Sequence, residues 1–172
     1  MLVVGYGNTL RGDDGVGQQV AEELWGQRQC APELVGAVVT WAHQLTPEMA
    51  LDLSRARFAV FVDAASDGRR AGSVTQELLT PGDPAAGAPG KPSVAVGCWQ
   101  DLAPADLLVL AAELYGHAPP TVVLSVGVAV TDLGASLSPQ VADAVPRAAA
   151  AARQAIAEAC PPVHELRMSP AV

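Results

Sequence analysis

Basic residues are scarce in this chain. Ten Lys and Arg face eighteen Asp and Glu, a formal net charge of −8. Those ten cations are scattered along the sequence. Nucleic-acid binding needs them clustered, so it is not expected, and neither is an anionic membrane surface. Cysteine is sparse as well. Cys30, Cys98 and Cys160 stand alone, without metal-ligand spacing. An odd, dispersed set fits a reducing compartment better than a disulfide framework, so a cytoplasmic protein is expected. No apolar run reaches the length of a membrane span. The opening Met1-Leu2-Val3-Val4-Gly5 has neither a basic region nor a cleavage site, so no secretory signal is expected. No serine occupies a Gly-x-Ser-x-Gly elbow, which leaves a hydrolase triad without support.

What is present is apolar material. Half of the 172 residues are hydrophobic, enough for the core of one compact domain. Met1–Tyr6, Leu34–Trp41 and Phe58–Asp63 read as buried strands, and Thr121–Gly127 as another. Ser73–Leu79 reads as an edge strand. Val16, Val20, Ala21 and Leu24 recur at helical spacing over Gly15–Arg28. Thr46-Pro47 opens a helix, with threonine as cap and proline at its first position. Ala103–Tyr115 is a helix that Gly116 ends. Ser138-Pro139 opens the last helix, which runs to about Ala159. Pro146 should kink that helix unless the helix restarts there. Residues 81–92, mostly Pro, Gly and Ala, read as a long mobile loop. Strands alternating with helices predict a single three-layer α/β domain over residues 1–160. Its twisted, largely parallel sheet has about five strands, with helices on both faces. A loosely ordered tail, 161–172, follows. A monomer is expected.

In such a sheet the sites form at the strand carboxyl ends. Four polar features follow strands there. The first is Gly5-Tyr6-Gly7-Asn8-Thr9-Leu10-Arg11-Gly12-Asp13-Asp14-Gly15-Val16-Gly17. The others are His43-Gln44-Leu45-Thr46-Pro47-Glu48, Asp63, and Cys98-Trp99-Gln100-Asp101. The glycine-rich opening does not suit a dinucleotide. Its spacing is not the Rossmann spacing, Trp41 stands where a ribose-binding acid belongs, and Asp13 and Asp14 would repel a pyrophosphate. Asp13 and Asp14 are candidates for capping the following helix, a task that needs only one of them. The second is then free to act. Asp63 reads either as a capped turn or as a site residue, and Asp14 with Asp63 as a paired site. Cys98 reads as a buried or incidental thiol, Tyr6 and Trp99 as cleft walls or packing, and His117 and His164 as incidental.

The opening motif closely resembles the signature of the proteases that mature nickel-iron hydrogenases. The resemblance continues through His43 to Glu48, Phe61-Val62-Asp63-Ala64, Leu107-Leu108 to Tyr115-Gly116, Leu133-Gly134 and Leu137-Ser138-Pro139. It implies a metal-assisted endopeptidase. Its partner would be the precursor of a nickel-iron hydrogenase large subunit, whose carboxyl-terminal extension it removes after nickel insertion. Nickel would be recognised in the substrate rather than held tightly by this protein. The resemblance also implies site residues: an acid of the opening motif, an aspartate after the third strand and a histidine before a later helix. The first two match Asp14 and Asp63, as catalytic residues and metal ligands. The third position holds Gln100 instead of histidine. Three accounts fit that departure. Gln100 coordinates weakly or positions a ligand; or His43 supplies the imidazole; or the chain is a non-catalytic relative that binds precursor or metal without cutting.

Overall fold

The computed structural model describes residues 1–80 and 102–159. The expected loop at 81–92, Cys98, Trp99, Gln100, Asp101, Cys160 and the tail at 161–172 lie outside the described residues. Five strands form one sheet in the order β2-β1-β3-β5-β4. They are β1 (Leu2–Tyr6), β2 (Val38–Ala42), β3 (Ala59–Ala65), β4 (Val74–Leu79) and β5 (Thr121–Gly127). β2, β1, β3 and β5 run parallel, and β4 closes one edge antiparallel to β5. The helices are α1 (Val16–Gln27), α2 (Met49–Arg55), α3 (Pro104–Tyr115), α4 (Pro139–Ala142) and α5 (Val145–Ala159). No described helix is long and apolar enough to cross a membrane.

Strand alternation divides the core in two. Val3, Val60, Val62, Leu124 and Val126 point to one face, where they pack on Val20 and Leu24 of α1 and Ala152 and Ile156 of α5. Leu2, Val4, Ala59 and Phe61 point to the other, onto Leu53 of α2 and Leu107, Leu110 and Ala111 of α3. The period-2 pattern of a strand feeds two cores at once when both faces are covered, which is why these runs are apolar throughout. Three layers result, as the sequence predicts.

Local departures have simple causes. The second strand begins at Val38, not Leu34, because Pro32–Leu34 forms a 3-10 turn and Gly36 takes a left-handed φ of 75°. The second helix begins at Met49. Thr46 and Pro47 accept its first backbone bonds, and no side chain caps it. At the other end of the chain the helix breaks after Ala142 and restarts at Val145. Pro146 thus stands in a first turn, where its missing N–H costs nothing. Gly116 ends α3 with a φ of 73°.

Candidate functional site

β1 has β2 on one side and β3 on the other. The chain winds outward from β1 to β2 and then returns to place β3 on the opposite side. In sheets of this kind a ligand crevice is expected at the carboxyl ends where winding reverses. The loop after β1 and the end of β3 flank it. Asp14 comes from that loop and Asp63 from β3.

The glycines of the opening motif make this loop possible. A Cβ on Gly5 would sit 1.9 Å from the Gly17 carbonyl oxygen, and one on Gly17 2.3 Å from the Tyr6 oxygen. Strand β1 and helix α1 therefore meet backbone to backbone. Gly7 has a φ of 136°, and a Cβ there would lie 1.9 Å from the Asp14 carbonyl oxygen. The tight return brings Asp14 over the end of β1, where its Oδ2 accepts a bond from the Asn8 amide at 3.1 Å. Asn8 in turn accepts from the Leu10 amide at 2.9 Å, an Asx turn that shapes the loop.

Asp63 stands beside Ser125 of β5 in register, and Gly5 of β1 is paired with the preceding Val62. Alternation puts Asp63 on the same face as Phe61. The Tyr6 ring packs edge-on against Phe61, with centroids 6.4 Å apart, and its hydroxyl donates toward the Asp63 carboxylate. Burial pushes the Asp63 carboxyl above the usual range. The Tyr6 hydroxyl and the Ala64 amide oppose this, and the nearby charge of Asp14 adds to it. The Tyr6 hydroxyl is itself pushed up, by burial first and by the negative charge of Asp63 next. The Asp63 carboxyl thus lies within reach of the charge of Asp14. Tyr6 lines the site beside Asp63, on the face that Asp63 shares with Phe61.

Asp13 takes no part in that pair, and it does not cap a helix. It lies in a 3-10 turn, Gly12–Gly15, whose ends have no side-chain cap. Its side chain is fully buried. Oδ2 accepts from the amides of Ala129 and Val130 at 3.0 and 2.9 Å and from the Ser138 hydroxyl at 3.0 Å. Oδ1 accepts from the Ser138 amide at 2.6 Å. Burial alone would raise this carboxyl, but the bonds from Ser138, Val130 and Ala129 outweigh it and hold the carboxyl below its ordinary range. A depressed folded value contributes stability above the unfolded value and loses it as pH falls through the folded one. The acid side of the stability–pH curve should therefore be shallower in Asp13→Asn, whose neutral-pH stability should fall by about 2–3 kcal/mol. Urea melts between pH 3 and 7 (range set around the ordinary aspartate value) measure both, and parallel curves would refute the assignment.

His43 follows β2 directly and is exposed. Tyr6 is in register with Ala42, and the Gly7 amide donates to the Ala42 carbonyl at 3.1 Å, so His43 leaves the sheet at the same edge as the acids. Among the described residues no three His, Cys, Asp or Glu side chains are grouped to hold a metal ion. His117 bonds the Ala56 carbonyl at 3.2 Å, away from the crevice. Ser138 and the Ala129–Ser138 loop were not foreseen as parts of the site. The only sequence signal for them is the Leu137-Ser138-Pro139 motif.

No family model and no curated protein sequence matches the chain. Solved structures do. The nickel-iron hydrogenase maturation protease HycI of Thermococcus kodakarensis KOD1 superposes with a TM-score of 0.65 at 20% identity, covering 90% of each chain. The hydrogenase maturating endopeptidase HybD of E. coli gives 0.63 at 18% identity over 91% of each. A hydrogenase 2 maturation peptidase from a Thaumarchaeota archaeon gives 0.58 at 23%, over 92% of this chain and 96% of that one. The chain thus has, over about nine-tenths of its length, the fold of the nickel-iron hydrogenase maturation proteases.

Proposed function

We propose that this protein is an endopeptidase that removes the carboxyl-terminal extension of a nickel-iron hydrogenase large-subunit precursor after nickel insertion. One observation supports the reading: Asp14, on the loop after β1, lies near enough to Asp63, close to the end of β3, for its charge to raise the Asp63 carboxyl. The shared fold supports it. A cytoplasmic location and a monomeric state belong to the same reading.

Two carboxylates offer oxygen donors to a divalent cation and negative charge to attract it. Nickel prefers imidazole nitrogen, so a pair of carboxylates holds it weakly. That suits an ion that arrives already bound in the substrate. Asp14 and Asp63 are the residues that would face it, and its positive charge would polarise the scissile carbonyl. Asp63, whose burial raises its proton affinity, is suited to take a proton from water. The water oxygen then bonds to the carbonyl carbon, the C–N bond breaks, and the proton passes to the leaving amine.

The direct test is incubation with nickel-loaded precursor, read as a shortened product by mass spectrometry. Product formed only from nickel-loaded precursor supports the reading, and none from either form refutes it. A related prediction concerns the missing histidine. Gln100→His should tighten nickel or cadmium binding by about tenfold, or ~1.4 kcal/mol, because imidazole is the better donor. If His43 already fills the position, Gln100→His changes little and His43→Ala is the damaging variant. Calorimetry on the two side by side separates these accounts. No change in either would remove both residues from the site.

A further inference from the structure

Asp13 is the one fully buried acid among the described residues, and the chemistry above makes no use of it. Its carboxylate gathers four donors from a single distant loop. The two backbones are tied as well. The Asp13 amide donates to the Val130 carbonyl at 2.8 Å, and the Gly134 amide to the Leu10 carbonyl at 2.7 Å. Gly12 has a φ of 54°, and a Cβ there would lie 2.5 Å from that same Val130 oxygen. The opening turn is thus pinned from Leu10 to Asp13. Asp14 is the next residue, inside the same 3-10 turn, with its amide on the Arg11 carbonyl at 3.1 Å. Consecutive Cα atoms are a fixed ~3.8 Å apart, so Asp14 has little freedom once Asp13 is held.

We propose that Asp13 is a positioning residue: by clamping the Ala129–Ser138 loop to the opening turn, it fixes the Asp14 carboxylate in the crevice. The proposal rests on the reading of Asp14 as a site carboxylate. Charge suits the task. Loop amides bonded to a carboxylate are held more strongly than those bonded to a neutral acceptor. An asparagine of the same shape keeps one acceptor oxygen and presents an NH2 to the remaining donors. The Asn8 amide reports the outcome independently, because it donates to Asp14 and makes no bond to Asp13.

The experiment compares the parent, Asp13→Asn and Ser138→Ala by amide hydrogen exchange on the free protein and by cleavage of nickel-loaded precursor. In folded Asp13→Asn, protection should fall at least tenfold at Ala129, Val130 and Ser138, and also at Asn8. Its kcat should drop tenfold or more and its KM should rise, since a displaced Asp14 loses its place both at the reacting centre and beside the substrate's nickel. Loss of protection confined to residues 129, 130 and 138, with Asn8 and kcat unchanged, would show that Asp13 holds the loop alone and would overturn the proposal. Should Asp13→Asn not fold, Ser138→Ala decides. It removes one of the four bonds, and Asn8 exchange equal to that of the parent would overturn the clamp. Should the parent cleave no precursor, the proposed function falls, while Asn8 exchange still decides whether Asp13 positions Asp14.

Discussion

Asp63→Asn should abolish cleavage and yet leave the fold at least as stable as the parent at neutral pH. The expected loss of rate is about 10²–10⁴-fold, the usual contribution of a positioned acid–base group. Stability follows from the sign of the pKa shift. Burial raises the Asp63 carboxyl above its ordinary value. For such a group the stabilising contribution is present below the unfolded value and is lost as pH rises through the folded one. At neutral pH the ionised form is therefore a cost of folding. Asparagine removes the buried charge and keeps an oxygen for the Tyr6 hydroxyl to reach. Product formation and thermal melts on one preparation test both halves. Cleavage near the parental rate would remove Asp63 from the chemistry. A clearly lower Tm would show instead that the fold depends on the charge.

Gly17→Ala should be among the most damaging single-methyl changes in the molecule, costing about 4 kcal/mol or more. A Cβ at Gly17 meets the Tyr6 oxygen at 2.3 Å and the Val62 oxygen at 2.6 Å, both backbone atoms of sheet strands. They cannot rotate away as a flexible side chain could. Gly26 supplies the control. It lies near the end of the same helix with nothing within 4 Å of a Cβ. Gly26→Ala should stabilise the protein by about 0.5–1 kcal/mol, the usual helix-interior difference. Denaturant melts of the pair give the contrast directly. Similar effects at the two positions would mean that helix propensity, not the close approach of α1 to β1, sets the requirement for glycine.

These two substitutions also mark how much was legible in the sequence. The layers were, because Val3, Val60 and Val62 lie in apolar runs bounded by glycine or a turn, and Leu107, Leu110 and Ala111 share a helix face. The sequence also set Asp14 on the loop after β1 and Asp63 at the end of the third strand; Asp63 in fact lies inside β3, which runs on to Ala65. The role of Asp13 was not. An acid before a helix reads as a cap when only neighbours in sequence are considered. Its actual partners are 116 to 125 residues away. Tyr6 was placed at the cleft but not aimed at Asp63, because side-chain direction depends on the register of β1 against β3. The start of β2 was misplaced by a short turn at Pro32–Leu34, which hydrophobicity alone could not separate from the strand behind it.

The long span bridged by Asp13 also governs when the site comes into being. β1, α1, β2, α2 and β3 are made first, and by residue 65 the chain holds both Asp14 and Asp63. The residues that receive Asp13 begin only at Ala129 and end at Ser138. Until they emerge, a nascent chain carries the two acids and a carboxylate with no donors. Contacts so remote in sequence form late, after the local βαβ units have been made. The turn that carries Asp14 is thus pinned only after Ala129–Ser138 has been made, long after both acids.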